Sequence, residues 1–306
     1  MQHYWSLAEV DLHRAWLTIG SFDGVHRGHQ DLIQQLTAGA HQIGAPAVVL
    51  TFYPHPGAVL RSRTEPFYLT SPDERAQLLG QAGVDFVITH PFNQQVAATT
   101  AGDFMRKLHK HLGIAHLLIG HDFALGKNRK GDFSRLTQIG VELGYQTSQI
   151  APFYLDEQLV SSSHIRFLLG AGKVEEAARM LGRNYTVTGK VEIGDQRGRT
   201  IGVPTANLNI WAERAIPVAG VYACWAHLDD QRYAAVTNIG VRPTFEFKAV
   251  PPRVETHLLD FNQDIYGAEL QLEFIQRLRD EQRFPDINTL VTQIRADIQQ
   301  ARQILA

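Results

Sequence analysis

One cysteine, Cys224, is all that the 306-residue chain contains, so an intrachain disulfide and a cysteine-based metal cluster are both excluded. Beside Tyr222 and Trp225 it is expected to be a small buried apolar residue. No apolar run approaches the roughly 18 residues that a membrane-spanning helix needs. The first residues, MQHYWSLAEVDLHRAW, hold no apolar core of the kind a signal peptide carries. The cytoplasm is therefore the expected compartment. Charge of one sign is also lacking: 29 Lys and Arg face 31 Asp and Glu, for a net charge of -2. A dedicated nucleic-acid or membrane binder would show a basic excess, and the cluster Lys127, Arg129, Lys130 is too small to supply one. Familiar nucleotide loops are missing as well. Gly172-Lys173 is followed by Val174 and lacks the upstream Gly of a G-x-x-x-x-G-K-[ST] loop, and no G-x-G-x-x-G follows the first predicted strand. The 14 histidines include no H-E-x-x-H or other zinc-ligand spacing.

What the chain does have is length and apolar content for a sizeable core, with 44% hydrophobic and 20% charged residues. Short apolar runs, at 16–19, 47–52, 86–89, 116–119 and 147–150, read as strands. Helical patterns lie between them, at 31–42, 72–82, 101–111 and 135–143, with a further helix at about 163–181. This alternation predicts an α/β domain with a parallel sheet covered on both faces. The texture changes near Arg183–Tyr185. Closely spaced turn signals follow, among them Gly189, Gly198, Gly202, Pro204, Gly220 and Gly240, and suggest an antiparallel barrel or sandwich. The chain closes on an amphipathic helix with Pro285 in its first turn. Its apolar stripe, Ile287, Leu290, Val291, Ile294 and Ile298, is expected to be core packing rather than a cofactor box. The domain boundary is placed at residue 184, giving domains 1–183 and 184–306.

The most informative segment is Leu17-Thr-Ile-Gly-Ser-Phe-Asp-Gly-Val-His-Arg-Gly-His29. A strand ends near Gly20 and a helix starts at about His29. The C-terminal end of a parallel strand is where such sheets bind ligands. A helix N-terminus offers free N–H groups that suit a phosphate, with Gly24 and Gly28 allowing close backbone approach. Two imidazoles, His26 and His29, could donate hydrogen bonds to charge developing on phosphate oxygens. The string resembles the H-x-G-H signature of cytidylyltransferase-type nucleotidyltransferases. With Phe22, Asp23 and Gly24 ahead of it, it is similar to the FAD synthetase branch of the bacterial riboflavin kinase/FAD synthetase family. Ser161-Ser-Ser-His-Ile-Arg166 resembles the family's second signature, S-S-[TS]-x-[IV]-R, in which serines cap a helix and an arginine can hold the leaving pyrophosphate. Thr51-Phe-Tyr-Pro-His-Pro56 and Ile119–Gly126 match two further family segments; Leu125 stands where the family often has an aromatic residue.

Downstream, Gly189–Leu208 is a glycine-punctuated stretch able to fold over phosphates, with Arg197 or Arg199 pointing inward. Thr205 and Asn207, in Pro204-Thr-Ala-Asn207, offer hard oxygens of the kind Mg²⁺ takes in kinase sites. This module, with Gly220-Val-Tyr222, Asn238–Thr244, Val254–Phe261 and Asp264–Gly267, resembles riboflavin kinase. The stretch 245–253 departs from the family's Gly-rich loop.

The resemblance implies a Rossmann-like nucleotidyltransferase domain followed by a six-stranded antiparallel β-barrel with a C-terminal helix. It implies a bifunctional enzyme that makes FMN from riboflavin and ATP, and FAD from FMN and ATP, with Mg²⁺ in both steps. His26, His29 and Arg166 would act in adenylyl transfer and Glu255 would be the kinase base. Gly20, Phe22, Asp23, Gly28, Asp122, Ser162, Ser163, Gly189, Arg197 and Gly198 would contact ATP or its phosphates. Pro54, His55, Pro56, Arg279, Glu281 and Phe284 would contact flavin, and Thr205 and Asn207 the metal. The expected partners are riboflavin, FMN, FAD and ATP, with no nucleic acid and no membrane; the protein would be a monomer or weak homo-oligomer. Two other readings are a flavin-binding regulator with an inactive site, and a nucleotidyltransferase for another phosphate ester. The first predicts losses at these positions, and none is seen. The second gives no reason for the Pro204–Asn207 module.

Overall fold

A computed structural model describes residues 1–61, 67–194, 198, 201–240 and 252–306, with the side chain of residue 61 excepted. The expected contacts Arg197 and Arg199 lie outside the described residues, as does Thr244. The chain divides into two units: 1–65 with 69–162, and 66–68 with 163–306.

In the first unit, β1 is Gln2–Tyr4, β2 Trp16–Ile19, β3 Ala47–Tyr53, β4 Phe86–Pro91, β5 His116–Gly120 and β6 Gln146–Ile150. They form one sheet in the order β1-β4-β3-β2-β5-β6, parallel throughout. The helices are α1 (Arg27–Gln42), α2 (Pro56–Arg61), α3 (Pro72–Gln81), α4 (Gln94–Ala98), α5 (Ala101–Leu112) and α6 (Phe133–Leu143). Strand residues alternate between two cores. Leu17, Ile19, Val48 and Leu50 pack toward α5 and α6, while Val49 and Val87 pack toward α1 and α3. Strong caps set several ends. Ser71 and Glu74 form a capping box ahead of α3, and Gly113 and Gly144 close α5 and α6 in left-handed backbone. The short β1 carries too few residues for a periodic signal. After α6 come the hairpin strands β7 (Tyr154–Leu155) and β8 (Gln158–Leu159).

The expected helix at about 163–181 is two helices, α7 (Ser162–Gly170) and α8 (Val174–Leu181). Gly172 at φ 74° breaks it, in a conformation that side-chain-bearing residues rarely adopt. Beyond it lie β9 (Tyr185–Glu192), β10 (Ala206–Ile210), β11 (Gly220–Leu228), β12 (Gln231–Gly240), β13 (Arg253–Leu258) and β14 (Glu269–Arg279). These six strands close an antiparallel barrel in the order β10-β13-β12-β11-β14-β9. Its interior takes the alternate residues, among them Val187, Tyr222, Ala235 and Phe274. Cys224 is inside too, and burial pushes its thiol up to about 12. The last helix, α9 (Ile287–Ile304), packs on the outer face of β11, β12 and β14 through Ala301, Ile304 and Leu305. Its cap is Asp286, so Pro285 precedes the helix instead of occupying its first turn.

Candidate functional sites

The order of the first sheet puts β2 at its centre, with β3 and β5 on either side. Register aligns Ile19 with Leu50 and Thr18 with Leu118, so the loops after these three strands leave from one edge. That edge carries the H-x-G-H loop after β2, Pro54-His55-Pro56 after β3 and Asp122 after β5. His55 Nδ1 accepts from Gly57 N at 2.9 Å. Asp122 is exposed, and its carbonyl accepts from Arg129 at 2.7 Å.

The H-x-G-H loop is strained. Phe22 and Val25 have φ of 47° and 40°, a region costly for a β-branched or bulky side chain and concentrated at functional sites. What holds the loop is Asp23, fully buried, whose carboxylate accepts from Leu69 N, Thr70 N and Thr70 Oγ1 at 3.0–3.1 Å and lies 3.8 Å from buried Arg75. Asp23, expected from the motif at the ATP site, has its carboxylate oxygens turned to the protein interior in this structure. Ser162 Oγ donates to the Asp23 carbonyl at 2.8 Å, so this serine braces the same loop; Ser163 is exposed.

Helix α1 starts two residues before the expected position because His26 caps it: its Nδ1 accepts from His29 N at 3.3 Å. Sequence signals for a cap favour Ser, Thr, Asp or Asn, which is why this start was not legible. An accepting Nδ1 leaves the neutral ring's proton on Nε2. The two rings stack at 3.6 Å, with Phe22 edge-on to His29 at 5.0 Å. Burial, then the charges of His26 and Arg75, hold His29 well below the ordinary histidine range. Its Nδ1 is buried without a hydrogen-bond partner among the described residues. A Cβ on Gly28 would press on the His26 ring at 3.3 Å, and one on Gly20 on the Phe22 ring at 2.9 Å. Both glycines make room for the aromatic cluster. Arg166 belongs to the second unit, where its Nε donates to Phe67 O at 2.6 Å and its guanidinium covers the Phe67 ring at 4.7 Å.

On the barrel, strand register sets Glu192, Asn207, Glu255 and Asn238 in one row across β9, β10, β13 and β12. Their neighbours Val191, Ala206, Val254 and Thr237 are buried inside, so the row faces outward. Two cavities flank it. One, of about 660 Å³, lies beneath α9 and is lined by Glu255, Val221, Val236, Arg279, Glu281 and Phe284. The other, of about 400 Å³, is lined by Asn207, Gly194, Pro204 and residues 261–266. Thr205 and Gly198 line both. Leu290, Ile294 and Ile298 form the helical wall of the first cavity and are only half-buried. The expectation that this stripe is core packing is corrected: below it the barrel face bears polar Asn238 and Glu255, so no dry core can close there.

Buried Asp297, on α9, accepts from Arg279 at 2.8–3.1 Å and from Gln293 at 2.9 Å. Phe284 lies 5.7 Å from the Arg279 guanidinium. Asp297 was missed in the sequence, although a lone acid on the inward face of an amphipathic helix was its signal. His257 Nδ1 donates to the Pro204 carbonyl at 2.7 Å, which fixes the start of the Thr205–Asn207 segment. Gly189 is buried within β9, lines neither cavity, and sits so close to Asn209 that a Cβ would lie 2.8 Å from its carbonyl oxygen. Gly189 therefore serves strand packing in this structure.

The residues present suit a hard cation. A Cβ on Gly194 would collide with Asn207 Nδ2 and lie 2.7 Å from its Oδ1, so the bare glycine leaves room beside that amide. Asn207 Oδ1 already faces a positive group, Arg253 Nε, at 2.8 Å.

Two family models match the chain: FAD synthetase over residues 8–164 and riboflavin kinase over residues 181–305. The bifunctional riboflavin kinase/FMN adenylyltransferase of Pseudomonas fluorescens is 40% identical over 94% of this chain and 92% of its own length. The chain belongs to this family. The enzymes so described from Escherichia coli K12 and Bacillus subtilis are 37% and 35% identical, over 94% and 98% of this chain and 91% and 95% of theirs. A crystal structure described as that of a macrolide-efflux protein from Streptococcus pneumoniae has TM-score 0.89 at 30% identity and covers 98% of each chain. Among the described residues of this riboflavin kinase/FMN adenylyltransferase family member, no helix is long and apolar enough to cross a membrane.

Proposed function

We propose that residues 184–306 phosphorylate riboflavin to FMN and residues 1–183 adenylylate FMN to FAD, each with ATP. The observation that carries the kinase half is the pair of cavities meeting at Thr205, with Glu255 on one and Asn207 on the other. The larger cavity, with Phe284 and the apolar side of α9, suits the flavin ring. The smaller, lined by glycine backbone and amides, suits nucleotide phosphates. Glu255 accepts the proton of the ribityl 5′-hydroxyl as that oxygen attacks the γ-phosphorus, and ADP leaves. Arg279, held by Asp297, and Glu281 position the flavin. Thr205 and Asn207 hold Mg²⁺, which when bound neutralises phosphate charge. In the adenylyl transfer, a phosphate oxygen of FMN attacks the α-phosphorus of ATP and pyrophosphate leaves. His26, through Nε2–H, and His29 donate to the phosphate oxygens, with the N-terminus of α1 adding backbone donors. Arg166 and Ser163 meet the leaving pyrophosphate, Asp122 the adenosine and Pro54-His55-Pro56 the flavin. The protein works in the cytoplasm, as a monomer or weak homo-oligomer, without nucleic acid or membrane.

The test uses separable lesions. Asn207→Ala should abolish FMN formation from riboflavin and leave FMN→FAD largely intact; His29→Ala should strongly slow FMN→FAD and leave FMN formation intact. Chromatographic separation of the flavins after incubation with ATP and Mg²⁺ reads both. Loss of both steps in either variant would refute the two-site assignment.

A further inference from the structure

Arg253 opens β13 two residues before Glu255, on the same outward face. Its Nε lies 2.8 Å from Asn207 Oδ1 and 2.5 Å from Glu255 Oε1. One guanidinium nitrogen thus touches both the oxygen assigned to the metal and the carboxylate assigned to proton removal. The pair register explains how: Asn207 and Glu255 are direct cross-strand partners, and Arg253 reaches back over them. The Arg253 and Glu255 side chains are 26% and 25% exposed, so solvent and a solvated ion reach the pair.

A divalent ion on Asn207 Oδ1 would stand within a few ångströms of the guanidinium, and the two like charges repel. While Arg253 Nε holds Glu255 Oε1, a substrate hydroxyl can reach that oxygen only beside the guanidinium. We propose that Arg253 is a displaceable internal cation: it occupies the kinase site at rest, competes with the divalent ion for Asn207, and releases Glu255 only when the ion arrives. Base release and metal arrival are then one event, which disfavours proton removal from riboflavin before the nucleotide is charge-neutralised. Arg253 is a positioning residue by this account, acting through Asn207 and Glu255. The proposal rests on the metal and base assignments above.

The test is a Mg²⁺ titration of the full-length enzyme holding riboflavin and ADP, a dead-end complex in which flavin fluorescence reports the kinase cavity without turnover. Arg253→Gln should lower the Mg²⁺ midpoint about fivefold, the scale of one partly exposed ion pair. Arg253→Lys, which keeps the charge, should stay near wild type, and FAD formation from FMN should be unchanged in both. A midpoint for Arg253→Gln equal to or above wild type, with the riboflavin complex still formed, would overturn the proposal. The same titration of Asn207→Ala tests the parent assignment separately. A wild-type midpoint there would overturn the placement of the metal, whatever Arg253→Gln does.

Discussion

Stacked imidazoles 3.6 Å apart cannot both carry charge cheaply, and the neutral form of His29 follows from that and from burial. A neutral ring still donates one N–H, which is all a phosphate oxygen requires. His29→Ala should therefore slow FMN→FAD by about 10²- to 10³-fold, the scale of one lost transition-state donor, and His29→Gln should recover part of the loss in the same flavin assay. A second histidine tests stability instead. His90, on β4, is 7% exposed, and its Nδ1 has no hydrogen-bond partner among the described residues. Burial, then the charge of Lys107, lowers its pKa to about 4. Unfolded histidine titrates near 6.5, so between about pH 6.5 and about 4 the unfolded chain binds a proton that the folded chain refuses. Stability should fall across that window as pH falls and be unaffected above it. At pH 5 the loss is up to about 2 kcal/mol before solvent screening reduces it. His90→Leu should remove this part of the pH dependence, as read by urea unfolding at pH 7.5 and 5.

At the scale of elements, α9 has two jobs on one stripe. Its last turns pack on the barrel through Ala301 and Leu305, and its middle turns wall the cavity through Leu290 and Ile294. Period alone could not separate these, because a cavity wall and a core face have the same spacing along a helix. The two uses differ in energetics. Ile294→Ala should raise the KM for riboflavin while costing under about 1 kcal/mol of stability, where a core isoleucine would cost about 2–5 kcal/mol. Asp297 anchors the helix to Arg279, with side chains 4% and 16% exposed. Asp297→Ala removes that guanidinium's carboxylate partner, leaving only the Asp280 carbonyl on Nη1 among the described residues, and should cost about 3 kcal/mol in chemical denaturation, besides weakening riboflavin binding. The loop after β2 shows the converse case. The H-x-G-H string announced a site, yet the roles of Asp23 and Ser162 as braces depend on partners distant in sequence: Leu69 and Thr70 for Asp23, and Asp23 itself for Ser162.

For the whole molecule, two sites that share only a diffusible product should complement each other. An equimolar mixture of His29→Ala and Asn207→Ala should make FAD from riboflavin after a lag, while neither variant does so alone; the time course of FAD fluorescence checks this. The sequence by itself determined the strand–helix alternation, the barrel texture after residue 184, the two signatures and hence the family, because apolar period, turn residues and motif spacing are local properties of the chain. Only the tertiary structure decided which motif residues are buried and what each of them touches. Asp23 turned inward, Gly189 went to strand packing, the α9 stripe became a cavity wall, and Arg253 came to rest between Asn207 and Glu255. Those outcomes come from strand register and long-range hydrogen bonds, which bring together residues that no spacing along the chain connects.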